Sequence, residues 1–250
     1  MSEVNPPLGP PARFPGCPSC AYLSGGPPAL CLDCASATFT TIDRDACPVC
    51  SQRTVLGRCG NELCRDPRRR ISRIRAIAYH DGDLRSKIIT YKYKDKPGWG
   101  TIFGRLLLGW LERNAHSERP DLIVANPSYR GPTGQGFGHT EQVITAADRE
   151  DVLGVWPFDV HDPRALVKTR RTTRSAHTPL TSKVEAAKEH RAAIVVPDRA
   201  RIEGRHILLY DDVCTSAHQL DEVAGLLVDE CGATSVEAVV LTRAPWVNRT

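Results

Sequence analysis

The chain is 250 residues long, 41% apolar and 25% charged, the proportions of an ordinary globular protein with room for one full domain and a smaller one. Its formal net charge of +4 permits a phosphate-rich partner without demanding one. The N-terminus lacks the apolar core of a signal peptide and no run approaches the length of a membrane span, so the cytoplasm is the expected compartment and membrane insertion is not expected.

In chain order, residues 1–15 are rich in Pro and Gly without periodicity and read as a disordered tail. Residues 16–66 hold eight of the ten cysteines in four close pairs, Cys17/Cys20, Cys31/Cys34, Cys47/Cys50 and Cys59/Cys64. With no export signal, that grouping points to metal rather than disulfides. Two such knuckles complete a tetrahedral four-thiolate site with no position left for water, so two structural Zn2+ ions are expected. In so small a segment the metal would supply most of the folding free energy. Sequential pairing of the knuckles makes a double zinc ribbon and interleaved pairing makes a cross-brace; sequential pairing is favoured.

A basic stretch from Arg65 to Arg75 leads into a second domain, 71–250. Strands are expected at 74–80, 121–127, 155–160, 192–197, 206–210 and 235–243, and helices at 84–94, 101–114, 139–150, 178–191 and 220–232. The alternation implies an α/β fold on a parallel sheet, in which ligands bind beyond the carboxyl ends of the strands. Cys214 and Cys231 read as small packing residues. The eight histidines show no metal-ligand spacing and read mostly as surface residues, with His218 placed to touch a bound phosphate.

The stretch HILLYDDVCTSAHQL, 206–220, carries the chemistry. An apolar strand runs into adjacent carboxylates, Asp211 and Asp212, then a hydroxyl-bearing loop and a helix start. Loop amides and a helix N-terminus suit a phosphate, and the carboxylates suit ribose hydroxyls. A ligand-free reading also exists: Ser216 and Gln219 have the spacing of a capping box.

The stretch resembles the phosphoribosyl-pyrophosphate (PRPP) loop of type I phosphoribosyltransferases, whose form is an apolar strand, Asp-Asp or Glu-Asp, then Thr-Thr-Gly-x-Thr. Asp211, Asp212, Val213 and Thr215 match. Behind the cysteines, AYHDGDLRSKIITYKYKDK (78–96), GQGFGHTEQV (134–143) and LVKTRRTTRSAHTPLT (166–181) are similar, in order, to segments of the ComF/GntX-like competence proteins. The resemblance spans about residues 17–243 and implies a double zinc ribbon on a phosphoribosyltransferase-like domain. It implies a PRPP site of Arg130, Asp211, Asp212, Val213, Cys214, Thr215, Ser216, Ala217, His218 and Gln219. Asp211 and Asp212 would hold the ribose as catalytic residues, Thr215, Ser216 and the loop amides the 5'-phosphate, and Arg130 the pyrophosphate, with Mg2+ arriving on PRPP. The chain departs from the pattern where Ala217 replaces the loop glycine, Gln219 the last hydroxyl, and Gln135, Gly138 and His139 an Arg, an Asn and a Gln. The departures point to weakened catalysis. The resemblance also implies a rival role, a non-catalytic adaptor that sits beside a DNA helicase and grips single-stranded DNA through its basic segments.

Overall fold

The computed structural model describes residues 39–93, 98–114, 119–133, 136–173 and 180–245. The expected tail at 1–15 and the first cysteine quartet, Cys17, Cys20, Cys31 and Cys34, lie outside these residues. The chain elements are β1 (Ile71–Tyr79), α1 (Gly82–Tyr93), α2 (Trp99–Asn114), β2 (Leu122–Ala125), α3 (His139–Glu150), β3 (Val167–Lys168), α4 (Leu180–Arg191), β4 (Ile194–Val195), β5 (His206–Cys214), α5 (His218–Gly225) and β6 (Ser235–Arg243).

Four strands form the main sheet in the order β1-β6-β5-β2, and every neighbouring pair is parallel. The fold is thus the α/β architecture on a parallel sheet that the strand–helix alternation implies. Strands covered on both faces need apolar residues throughout, and β2, β5 and β6 supply them. On one face, α1, α2 and α3 bury Ile88, Phe103, Leu107 and Ile144 against Ile123, Leu208 and Val239. On the other, α5 brings Leu220, Val223 and Ala224 onto Leu209, Ala238 and Val240, and Cys47, Cys50 and Leu63 of the cysteine region join the same cluster.

Several expected elements take a different form. β1 begins at Ile71, before the expected 74, because a register shift between Ile71 and Arg73 inserts an extra residue. That shift lets Ile71 and Ile74, three positions apart, both face the second cluster. The segment expected as a strand at 155–160 makes only one bridge, Phe158 to Ile123. Pro157 has no N–H to give, and the Phe158 amide turns back onto the Trp156 carbonyl at 2.8 Å. β4 lies outside the main sheet and pairs antiparallel with β3, which falls in the basic segment at 166–181. The last helix ends as a π-helical turn, Leu226–Glu230, before Gly232 at φ 74°.

α2 and α3 meet at Gly104, where an added Cβ would lie 2.7 Å from the Ala147 nitrogen and 2.8 Å from the Ala146 Cβ. Both obstacles are fixed to the α3 backbone, so the helices would have to separate. Gly104→Ala is therefore expected to lower stability by about 1–3 kcal/mol, seen as a lower urea midpoint. An unchanged midpoint would contradict the packing described for this crossing.

Candidate functional site

The parallel strands of the main sheet end along one edge, which collects the polar residues that follow or close them. β5 continues through the carboxylates to Cys214, past the apolar run that was expected to end it at Tyr210. Asp211 and Asp212 are therefore ladder residues, paired toward β6, and their side chains leave opposite faces of the sheet.

Asp212, 4% exposed, faces α1 and α3. Lys92, near the end of α1, sets its Nζ 2.8 Å from the carboxylate. The Lys92 carbonyl in turn lies 3.0 Å from His139 Nε2 at the start of α3. Asp211 faces the other way. Its Oδ2 accepts a hydrogen bond from Asn126 Nδ2 at 2.8 Å, and its Oδ1 accepts the Asp212 backbone N–H at 2.8 Å. Asn126 follows β2, and its own N–H is bound to the Tyr210 carbonyl at 2.8 Å.

From Asp211 a chain of donors runs inward. Asn126 Oδ1 lies 2.8 Å from His190 Nε2, and His190 Nδ1 lies 2.9 Å from Lys168 Nζ. Lys168 can only donate, so Nδ1 accepts and Nε2 carries the hydrogen given to Asn126. Gln219 Nε2 is set 3.2 Å from His190 Nε2; because that ring nitrogen carries a hydrogen, the Gln219 amide bonds to it only when turned so that its oxygen faces the ring. Every bond from Lys168 through His190 and Asn126 consequently points toward Asp211.

The two carboxylates are driven apart in acidity. Burial, then the adjacent Asp212 charge, pushes Asp211 up to about 7. Burial also presses upward on Asp212, but the Lys92 charge and hydrogen bond outweigh it and hold Asp212 below the ordinary carboxylate range. Burial and then the Lys168 charge take His190 down to about 3, which keeps it neutral. His80, whose Nδ1 lies 2.9 Å from Thr242 Oγ1, is pushed down to about 4, first by burial. His190 is buried, while His80 and His139 are half-buried.

Beyond Cys214 the loop turns into α5 through Ala217, whose φ of 71° is the left-handed conformation that glycine adopts freely. The Cβ there costs about 1 kcal/mol. Ser216 and Gln219 do not form a capping box: Ala217 is the N-cap and α5 has no side-chain cap. Ser216 is 5% exposed, and His218 Nδ1 is buried with no hydrogen-bond partner among the described residues. Cys214 and Cys231 are both buried, as packing residues should be, and burial pushes the Cys214 thiol up to about 11.

Arg130 stands apart from this group. It lines an open pocket of about 310 Å³ with Arg164, Gln142 and Thr145, and none of residues 211–219 borders that pocket. The link between the two places is the 126–130 segment itself, which α3 holds through Thr140 Oγ1 on the Asn126 carbonyl at 2.6 Å and Glu141 on the Ser128 amide at 2.8 Å.

The second cysteine quartet forms a cluster. The sulfur atoms of Cys47, Cys50, Cys59 and Cys64 lie within 4.8 Å of one another. Cys50 and Cys59 are 3.7 Å apart, and Cys59 and Cys64 3.8 Å. A Zn–S bond of about 2.3 Å gives a tetrahedron edge of about 3.8 Å, so the quartet fits a structural zinc ion. Its members are sequential knuckles, as favoured from the spacing. Asp211 and Asp212 offer no comparable cage for Mg2+, since their oxygens are already engaged by Asn126, Lys92 and a backbone amide.

Sequence reasoning singled out the carboxylates but not Lys92, His190 or Arg243. Lys92 sits in the Lys-Tyr-rich helix end, which was a usable signal. Nothing local marks His190. Arg243 closes a strand, where a cation is ordinarily exposed, yet it is fully buried.

No protein-family profile matches the chain. The chain is 26% identical over 223 residues to the DNA utilization protein YhgH of Escherichia coli (strain K12), an alignment covering 86% of this chain and 90% of that protein. The protein of the same name from Shigella flexneri aligns equally. A solved structure described as the allosteric regulatory enzyme of purine biosynthesis is 17% identical and covers 61% of this chain and 29% of its own, with a TM-score of 0.35, too low to bear on the site.

Asp211 gives the site a pH signature. Because its folded pKa is raised to about 7, the native state keeps a proton that the unfolded chain releases near pH 4, so this group makes stability fall as pH rises between those values. His80 and His190 act in the opposite sense, so the test is the difference between proteins. Asp211→Asn is expected to become more stable relative to the parent as pH rises from about 4 to about 7, measured by urea unfolding across that range. A constant difference would contradict the raised acidity.

Proposed function

We propose that the chain is a ComF-like phosphoribosyltransferase-fold protein that binds PRPP or a related sugar phosphate at Asp211–Gln219. The observation that carries this reading is the pair of carboxylates, Asp212 buried and Asp211 half-buried, at the carboxyl edge of a parallel sheet, followed directly by a left-handed turn into a helix. Asp211 and Asp212 would accept hydrogen bonds from ribose hydroxyls, with Lys92 and Asn126 fixing the two carboxylates. Thr215, Ser216 and the loop amides would take the 5'-phosphate, with Val213, Cys214, Ala217, His218 and Gln219 shaping the turn around it. Loss of pyrophosphate builds positive character on the sugar, and the fixed charge of Asp212 is suited to stabilise it. Mg2+, carried by PRPP rather than by a protein cage, would neutralise pyrophosphate charge. Arg130, in the neighbouring pocket, is the side chain best suited to the departing pyrophosphate.

Ala217 bears a Cβ in the glycine conformation, a strain carried by the free and bound loop alike, and Gln219 cannot supply the lost hydroxyl donor. The second feature supports weak binding and weakened catalysis. No residue singles out an acceptor nucleophile. The cysteine region, 16–66, would carry one zinc ion in each quartet, and 71–250 would form the phosphoribosyltransferase-like domain. No helix among the described residues is long and apolar enough to cross a membrane. A cytoplasmic location is part of the proposal, because thiolate zinc sites persist in a reducing compartment.

The relatives' name, DNA utilization protein, favours a second reading in which the chain handles DNA; the adaptor role, the single strand and the helicase beside it are what the resemblance to competence proteins adds. Its basic segments are already partly engaged: Lys168 is drawn to Thr172 and His190, and Arg170 lies 3.4 Å from Glu189, while Arg171 stays exposed.

Calorimetric titration with Mg-PRPP tests the first reading. Binding is expected, Asp212→Asn should abolish it, and Ala217→Gly, which relieves about 1 kcal/mol of strain in the free and bound loop alike, should raise the urea midpoint while leaving the affinity unchanged. No binding to the parent, together with DNA affinity that falls steeply with salt, would replace this reading with the second. Elemental analysis should find two zinc ions per chain, falling to one in Cys47→Ser; a content near zero would overturn the metal assignment.

A further inference from the structure

Arg243 is the largest side chain fully removed from solvent among the described residues. A buried guanidinium requires several acceptors, and these lie in two separate parts of the chain. Its Nε donates to the Cys50 carbonyl at 2.8 Å, and its Nη2 lies 3.6 Å from the Cys50 sulfur. Its Nη1 donates to the Cys214 carbonyl at 2.9 Å and also to the Thr215 carbonyl. Arg243 thus joins a metal-ligand residue to the first two carbonyls of the candidate phosphate loop.

Asn61 makes the same connection from another direction. It is 1% exposed and lies between Cys59 and Cys64. Its Oδ1 accepts the Leu63 amide at 3.2 Å, capping the short turn that leads to Cys64, and its Nδ2 donates to the Ser216 carbonyl at 3.1 Å. Of three consecutive loop carbonyls, that of Cys214 is held by Arg243 together with the Ala244 amide at 2.9 Å, and those of Thr215 and Ser216 are held from the side of the cysteine quartet by Arg243 and Asn61.

A planar trans peptide points its N–H opposite to its C=O. Holding the carbonyls of Cys214 and Thr215 toward the quartet turns the N–H groups of Thr215 and Ser216 away from it. The third tie, on Ser216, fixes the peptide that enters the left-handed turn at Ala217. We infer that the metal quartet, acting through Arg243 and Asn61, sets the direction of the loop amides, and that Arg243 and Asn61 are positioning residues for the anion. The anion part rests on the sugar-phosphate reading above; the aiming of the loop does not. Coupling of this kind is reciprocal, so an anion on the loop would also tighten the hold on the metal.

Amide hydrogen exchange over residues 206–220 in the full, zinc-loaded chain tests the inference. Asn61→Asp keeps the acceptor for the Leu63 amide and removes the donor to Ser216. It should retain the metal by elemental analysis while exchange in the loop quickens about tenfold, equivalent to about 1.4 kcal/mol of local stability. Arg243→Lys keeps the charge but loses the fork and should act in the same direction. Removing the metal with a chelator should release the loop before α3. Loop exchange unchanged in Asn61→Asp, or exchange rising uniformly along the chelated chain, would overturn the inference. Mg-PRPP, used as the anion probe, should bind Asn61→Asp about tenfold more weakly than the parent and raise zinc retention at equilibrium with a chelator in the parent alone. A parent that binds no PRPP would sink the sugar-phosphate reading while the exchange result still decides the aiming. Normal PRPP affinity in Asn61→Asp with altered exchange would overturn the positioning role.

Discussion

Two carboxylates adjacent in one strand cannot both be enclosed at full charge without local compensation. The groups around the edge of this sheet follow from that constraint. Asp212 stays ionised because Lys92 reaches it from α1 at 2.8 Å. Asp211 has no cation in contact among the described residues; it receives the Asn126 amide, and burial and the Asp212 charge outweigh the more distant Lys92 and push it up to about 7, so near neutral pH the pair carries less than two negative charges. A ligand offering hydroxyl donors meets one fixed carboxylate and one whose charge can change. The polarity of the Lys168–His190–Asn126 chain keeps the second oriented without adding a charge beside it.

The same edge depends on a second constraint, the burial of Arg243. Its acceptors are the carbonyls of Cys214 and Thr215 and the backbone of the cysteine knuckle at Cys50, so the small cysteine region is part of the support of the site. A buried guanidinium with its acceptors removed would be strongly destabilising. The loop and the knuckle are consequently held as one unit, although they are far apart in the chain. The strained φ at Ala217 persists in that setting because its surroundings are fixed on both sides: the Ser216 carbonyl by Asn61, and α5 by packing on the second core.

Where periodicity and end signals agree, the chain was readable from its residues: α3 and β6 occupy the expected 139–150 and 235–243. The end of β5 was hidden because Asp is disfavoured in strands, and an apolar count stops at Tyr210. Pairing with β6 overrides that preference. The strand expected at 155–160 failed for the opposite reason, a β-like composition interrupted by a proline without a donor. At the site, Asp211, Asp212 and the turn at Ala217 were legible because adjacent charges at a strand end and a replaced glycine are local signals. Lys92, His190 and Arg243 act across long stretches of chain, and no local pattern marks a partner that exists only after the sheet has formed.

The central claim, that this edge is built to hold an anion on the loop after paired carboxylates, is tested most directly by backbone nuclear magnetic resonance. Ribose 5-phosphate with Mg2+ is added to the isotope-labelled, zinc-loaded chain, and the amide shifts of Thr215, Ser216 and Ala217 are followed. The account predicts saturable shifts that are largest at these amides and that extend to Asp211 and Asp212. Absent shifts, or shifts confined to exposed arginines such as Arg68 and Arg171, would contradict it.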